Sequence, residues 1–156
     1  MESSHLELLR DLLSVRRVLA LSVLAGGEPI IGLLPFAVTP NRSALVIHAS
    51  RLARHSRGLR DGAPFDALIH LPDTPDADPL QIPRVTLQGI VRVLSSDRPE
   101  SEADRRAYIE KLPAAEDLLG FADFHFYRLE IRSGRLVAGF AQAVSFTADT
   151  LRQIPQ

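Results

Sequence analysis

The chain has 156 residues, enough for one domain with its own core and no covalent staples. Hydrophobic residues make up 46% and charged residues 24%, and 18 basic against 19 acidic side chains leave a net charge of −1, so no general attraction to nucleic acid or anionic membranes is expected. The absence of cysteine excludes disulfides and thiolate metal sites.

Ser4 followed by Glu7 has the form of a capping box, and Leu6, Leu9, Leu12 and Leu13 then recur at helical spacing, which predicts a helix over about 4–14. Val18–Leu24 reads as a strand. Ala25-Gly26-Gly27-Glu28 reads as a hairpin turn, because paired glycines accept positive φ at little cost. Pro29–Val38 is the return strand, and after a turn at 39–42 a third strand covers Ser43–Ile47. A short helix over Leu52–Arg60 follows, with Gly58 near its end. Phe65–Leu71 is a fourth strand, and Pro72–Pro79 is a loop rich in Pro and Asp. Val85–Leu94 is a long strand with Gly89 as a bulge or bend. Pro99–Leu112 is a helix opened by acids, and Glu116–Leu119 a further helical turn. Phe124–Ile131 and Leu136–Phe146 are strands joined by a turn at Arg132-Ser133-Gly134-Arg135. The short early connections favour antiparallel pairing, and the strand spacing favours a barrel over an open parallel sheet. The expected class is mainly β with flanking helices, as a single domain.

The first residues, Met1-Glu2-Ser3-Ser4-His5, lack a basic segment leading into an apolar one, so no signal peptide is expected. The longest apolar run, near Pro29–Val38, is too short to span a bilayer. A cytoplasmic protein is the expectation. Two Tyr and no Trp offer little aromatic surface for stacking on bases, so nucleic acid is not an expected partner.

The most informative stretch is His48–Arg60, which follows an apolar run and carries no acid. No Asp or Glu occurs between Glu28 and Asp61. A serine-capped, arginine-rich helix start after a strand suits a phosphate: backbone N–H groups and the helix dipole favour an anion, and guanidinium groups add charge-assisted hydrogen bonds. In a helix Arg51, Arg54 and His55 share one face. A solvated cationic face would show the same pattern, and charge alone does not decide between the two. Neither a P-loop nor a dinucleotide fingerprint is present. The five histidines form no His-x-x-x-His or His-Glu-x-x-His pair, so a zinc site is not expected. His125 lies in a strand pattern with Asp123 and Tyr127 on its face, which fits a structural histidine better than a ligand. The serines and carboxylates form no nucleophile or acid–base set.

Four segments together resemble the pyridoxamine 5′-phosphate oxidase-like family of flavin-binding split barrels, and more closely its haem-utilisation (HugZ-type) branch. They are Pro35-Phe36, the run Ser50 to Arg57, Arg84 to Gly89, and Asp123 to Leu129 with Gly134 to Phe140. The likeness spans roughly residues 14–146. It implies an antiparallel, Greek-key-like split β-barrel that binds FMN non-covalently at a homodimer interface. It also implies flavin-dependent redox chemistry on a small-molecule substrate that the sequence does not name. Arg54 and His55 match the family's phosphate pair, with Ser50 and Arg51 in the same turn. His48 and Ala49 would run beside the flavin and ribityl chain. Leu34, Pro35, Phe36 and Ala37 match the strand whose backbone borders the ring, and Arg84 matches a polar position that reaches it. Phe140 and Gln142 would approach from the other subunit. Haem is the alternative cofactor, with His125 as its alternative ligand, and a flavin-binding module without turnover is a third reading. Longer members of the branch use a histidine in a C-terminal extension for haem, and no histidine follows His125 here, so that route is not expected. The segment Gly139-Phe140-Ala141-Gln142-Ala143 lacks the basic residue often found there in relatives.

Overall fold

The computed structural model describes residues 1–154. Seven strands form one antiparallel sheet. They are β1 (Val18–Ala25), β2 (Glu28–Val38), β3 (Ala44–Ser50), β4 (Pro64–His70), β5 (Arg84–Val93), β6 (Phe124–Gly139) and β7 (Gln142–Thr147). The order is β3-β2-β1-β4-β5-β6-β7, and a further pairing of β3 with β6 closes the first six into a barrel. The spatial order β3-β2-β1-β4 is a Greek key, so the β3–β4 connection must cross one end of the barrel. That connection is the basic segment.

Alternation explains the core. Inward side chains such as Leu21, Phe36, Ile47, Leu87 and Leu129 are completely buried. The helix α1 (Ser3–Val15) adds Leu9, Leu12 and Leu13 to the same cluster. Each such leucine contributes about 1.5–3 kcal/mol of burial. A second, smaller cluster lies outside the barrel wall, where α2 (Ser101–Lys111) covers β2, β3 and the start of β6. Lys111 joins the two helical layers: its Nζ donates to Leu13 O at 3.0 Å and sits 4.0 Å from the Phe36 ring centroid. Burial, reinforced by Arg17, pushes its pKa down to about 8.

Under α2 lies a buried ion pair. Arg128 of β6 bonds Asp104 of α2, and its guanidinium also donates to Ser43 Oγ at 2.9 Å and Asn41 Oδ1 at 3.3 Å. The acids that open α2 are therefore not all at the surface. Asp104 is buried and anchors the helix to the barrel.

Three sequence expectations are corrected, and one further element appears. The capping box does not form, because α1 starts at Ser3 with Glu2 as N-cap and no side-chain cap. Leu52–Arg60 is not an α-helix but bends into a five-residue 3₁₀ turn, Arg54–Gly58. Gly58 is needed there, since a Cβ would lie 2.6 Å from a Val23 methyl. The expected turn at 132–135 is the interior of the sixteen-residue β6, and the chain reverses at Phe140-Ala141 instead. Gly134 serves close packing: a Cβ there would come 2.4 Å from the Phe146 ring. Finally, α3 (Ala148–Arg152) follows β7 unannounced by any cap signal. The Gly26-Gly27 turn and the Gly89 bulge stand as expected, with positive φ at both glycines and a register shift at Gln88/Gly89. No helix among the described residues is long and apolar enough to cross a membrane.

Candidate functional site

Ser50 ends β3 and organises the chain that follows. Its Oγ donates to Asp123 Oδ2 at 2.7 Å and accepts from Leu52 N at 3.1 Å, while Ser56 Oγ donates back to Ser50 O at 2.5 Å. Arg51 N also donates to Asp123 O at 2.7 Å. The turn is thus pinned before the arginines emerge from it.

A 3₁₀ turn repeats every three residues, which puts Arg54 and Arg57 in one row. Arg54, Arg57 and Arg60 line one hollow of about 260 Å³ with Glu28 and the β1–β2 hairpin. His55 leaves on another side. Its ring packs against Gly32 of β2, so close that a Cβ on Gly32 would sit 2.5 Å from His55 Nδ1. His55 Nε2 is buried without a hydrogen-bond partner, and burial holds the imidazole below its ordinary pKa. Burial thus works against the charged form of this imidazole. The shared face expected for Arg51, Arg54 and His55 does not exist, because the segment is not α-helical. Arg51, Arg54, Arg57 and Arg60 form no ion pair among the described residues and are exposed.

On β2, the Leu34, Phe36 and Ala37 side chains are buried, so only their backbone and the exposed Pro35 are available to a ligand. Ala49 points into the barrel core. His48 is 7% exposed, and its ring stacks on Phe126 at 4.2 Å under α2. Arg84 donates to Ile82 O at 3.0 Å and faces Val137 across the β5–β6 ladder. Phe140 and Gln142 are exposed at the β6–β7 reversal. The expected residues therefore fall into two groups. Ser50 is level with Phe124 on β6 and Arg84 with Val137, thirteen residues further along the same strand. That is about 40 Å of extended chain.

Sequence reasoning missed two features. Ile31 and Leu33 of β2 are more than 70% exposed, and beside them lie Pro29 and Pro35 with Val18 and Leu24 of β1, all exposed. The signal was present: β2 is apolar at both parities, as strands covered on both faces are. The second is the aromatic hollow under α2, built by long-range contacts that no local pattern announces.

No family model matches the sequence, and no curated protein matches it. Solved structures do. A haem-binding protein from Mycobacterium smegmatis superposes with a TM-score of 0.83 at 26% identity over 98% of this chain and 62% of its own. The haem storage protein HutZ from Vibrio cholerae gives 0.71 at 18% identity, over 89% of this chain and 91% of its own. A second Mycobacterium smegmatis protein, which binds FAD and haem, gives 0.65 at 19% identity, over 96% and 78%. The chain has the split-barrel fold, and the solved structures similar to it match the haem-utilisation branch of the pyridoxamine 5′-phosphate oxidase-like proteins. As a split barrel it spans about three-fifths of the first of these relatives, 62% of that length. The similar split barrels include proteins that bind haem and proteins that bind flavin.

Proposed function

We propose that this split barrel binds FMN between two copies of itself and acts as a flavin-dependent oxidoreductase on a small molecule. The observation that carries the reading is the set of unpaired arginines from Arg51 to Arg60, on a crossing connection pinned by Ser50 and Asp123. A flavin phosphate is a dianion, and exposed guanidinium groups without carboxylate partners suit it. In this reading the phosphate set draws on the arginine row that lines one hollow. Arg54 keeps its place, Arg57 and Arg60 join it, and His55 supports the turn through Gly32.

The separation of the two residue groups supports a dimeric site. Arg84, Phe140 and Gln142 stand far along β6 from Ser50 and Arg54, so a second copy is the economical way to bring both groups to one flavin. The exposed apolar face of β1 and β2 gives that copy a surface to cover. Bound flavin would supply the redox chemistry, and the protein supplies position and charge.

Arg54→Ala should weaken FMN binding by about 1.5–3 kcal/mol, the scale of a hydrogen bond to a charged group. Fluorescence titration reads this directly, and wild-type affinity in the variant would refute the phosphate assignment. Leu33→Asp should turn the dimer into monomers in sedimentation and lose FMN affinity with it. A variant that remains dimeric would remove the β1–β2 face from the interface.

Haem is the second reading, favoured by His125, whose Nε2 is buried without a partner. Added haemin separates the two: a Soret band that His125→Ala abolishes would favour haem.

A further inference from the structure

Between α2, the turn at 113–118 and the outer side of β3 and β6 lies a hollow of about 570 Å³. His48 lines it at its base. The imidazole is sandwiched among aromatic rings: stacked on Phe126 at 4.2 Å, tilted against Phe124 at 5.2 Å, and edge-on to Tyr108 at 6.0 Å. Arg105 of α2 lies over the Phe126 ring, 5.5 Å from its centroid. Within this apolar frame His48 Nδ1, Arg105 Nε and His125 Nε2 are all buried and have no hydrogen-bond partner. Such orphaned groups cost about 1–3 kcal/mol each, and a fold seldom tolerates several together without a partner that arrives later.

We infer that this hollow is a binding site for a small aromatic carboxylate, distinct from the arginine row at the barrel end. A guanidinium N–H can only donate, and an imidazole N–H donates in one tautomer, so the matching ligand group is an acceptor that carries negative charge. Phe124, Phe126 and the His48 ring offer flat faces to an aromatic body, and Leu94, Ile109 and Leu119 complete an apolar wall. The volume suits a one- or two-ring molecule. Three carboxylates, Glu102, Glu110 and Glu116, also line the hollow and oppose an anion, but they are exposed on its rim, where solvent screens them, and Glu102 faces Arg106 at 3.8 Å. The groups at the base are the nitrogens of His48, Arg105 and His125. An iron porphyrin also carries carboxylates, as its propionates, so haemin is the competing occupant that the test must separate.

The test is a titration of the full chain with benzoate, and in parallel with neutral benzamide, followed by calorimetry and by the imidazole resonances of His48 and His125. Benzoate should saturate, move the His48 resonances, and bind about tenfold or more tighter than benzamide, the factor for one charge-assisted hydrogen bond. Arg105→Gln should remove about that tenfold, and Arg152→Gln, in an exposed ion pair on α3 outside the hollow, should stay within about twofold. Equal affinity for benzoate and benzamide, or no movement of His48 up to about 10 mM benzoate, overturns the proposal. That comparison uses the wild-type chain, so it holds even if Arg105→Gln fails to fold. Haemin binding that competes with benzoate and is lost in His125→Ala also overturns it, assigning the hollow to haem. Arg54→Ala should lose FMN and keep benzoate, so failure of one site is read separately from failure of the other.

Discussion

Two sets of arginines meet opposite fates in this molecule. Arg128 is buried under α2, fully engaged by Asp104, Ser43 and Asn41. Arg51, Arg54, Arg57 and Arg60 stand exposed on the crossing connection, and none has a carboxylate partner among the described residues. Both sets lie in or beside strands that the sequence marks as barrel wall. The difference separates charge committed to holding the fold from charge left for something outside it. A buried pair fixes the position of a helix, whereas an unpaired row remains available to an anion.

The comparison is broken most severely at the buried pair. Asp104→Ala should destabilise the fold by about 3–5 kcal/mol, because Arg128 would remain buried without its countercharge. Denaturant unfolding measures it, and a loss below about 1 kcal/mol would show that Arg128 finds water or another partner. The exposed set should behave in the opposite way. Arg54→Ala should change stability by no more than about 0.5 kcal/mol while costing about 1.5–3 kcal/mol of FMN affinity. A variant that loses stability instead would place Arg54 in the structural class.

A smaller effect belongs to the histidines. Burial, then His125 and Arg105, hold His48 below the ordinary value of 6.5, and burial alone lowers His55. The unfolded chain therefore takes up protons at these positions more readily than the folded one. Their contribution to stability is present above pH 6.5 and is lost as pH falls from there through the lowered folded values. His48→Phe should flatten part of this slope in unfolding curves taken across the window. An unchanged slope would remove His48 from the account.

Much of the fold was legible because strands advertise themselves. Alternation in Val18–Leu24 and Val85–Leu94, the Gly26-Gly27 pair and the break at Gly89 each state a local rule that the barrel obeys. Gly134 misleads for a physical reason. It resembles a turn glycine beside Ser133, but its missing Cβ makes room for Phe146. The basic stretch was legible as charge and not as geometry. The Arg-rich pattern predicts an α-helix, yet the connection must cross the barrel mouth and seat Gly58 on Val23, which leaves room only for a 3₁₀ turn. That tightening sends His55 to Gly32 and sets Arg57 and Arg60 beside Arg54. The α2 hollow was not legible at all, since His48, Arg105 and His125 come from three elements. The Asp104–Arg128 pair was hidden in the same way, twenty-four residues apart in sequence.

The central claim is that the unpaired arginines of the crossing connection hold a phosphate. Riboflavin has the ring and side chain of FMN without the phosphate, so the most direct measurement compares their affinities for the wild-type protein and for Arg54→Ala. FMN should bind the wild type about tenfold or more tighter than riboflavin, and most of that gap should close in the variant. Equal affinities for FMN and riboflavin in the wild type would contradict the claim.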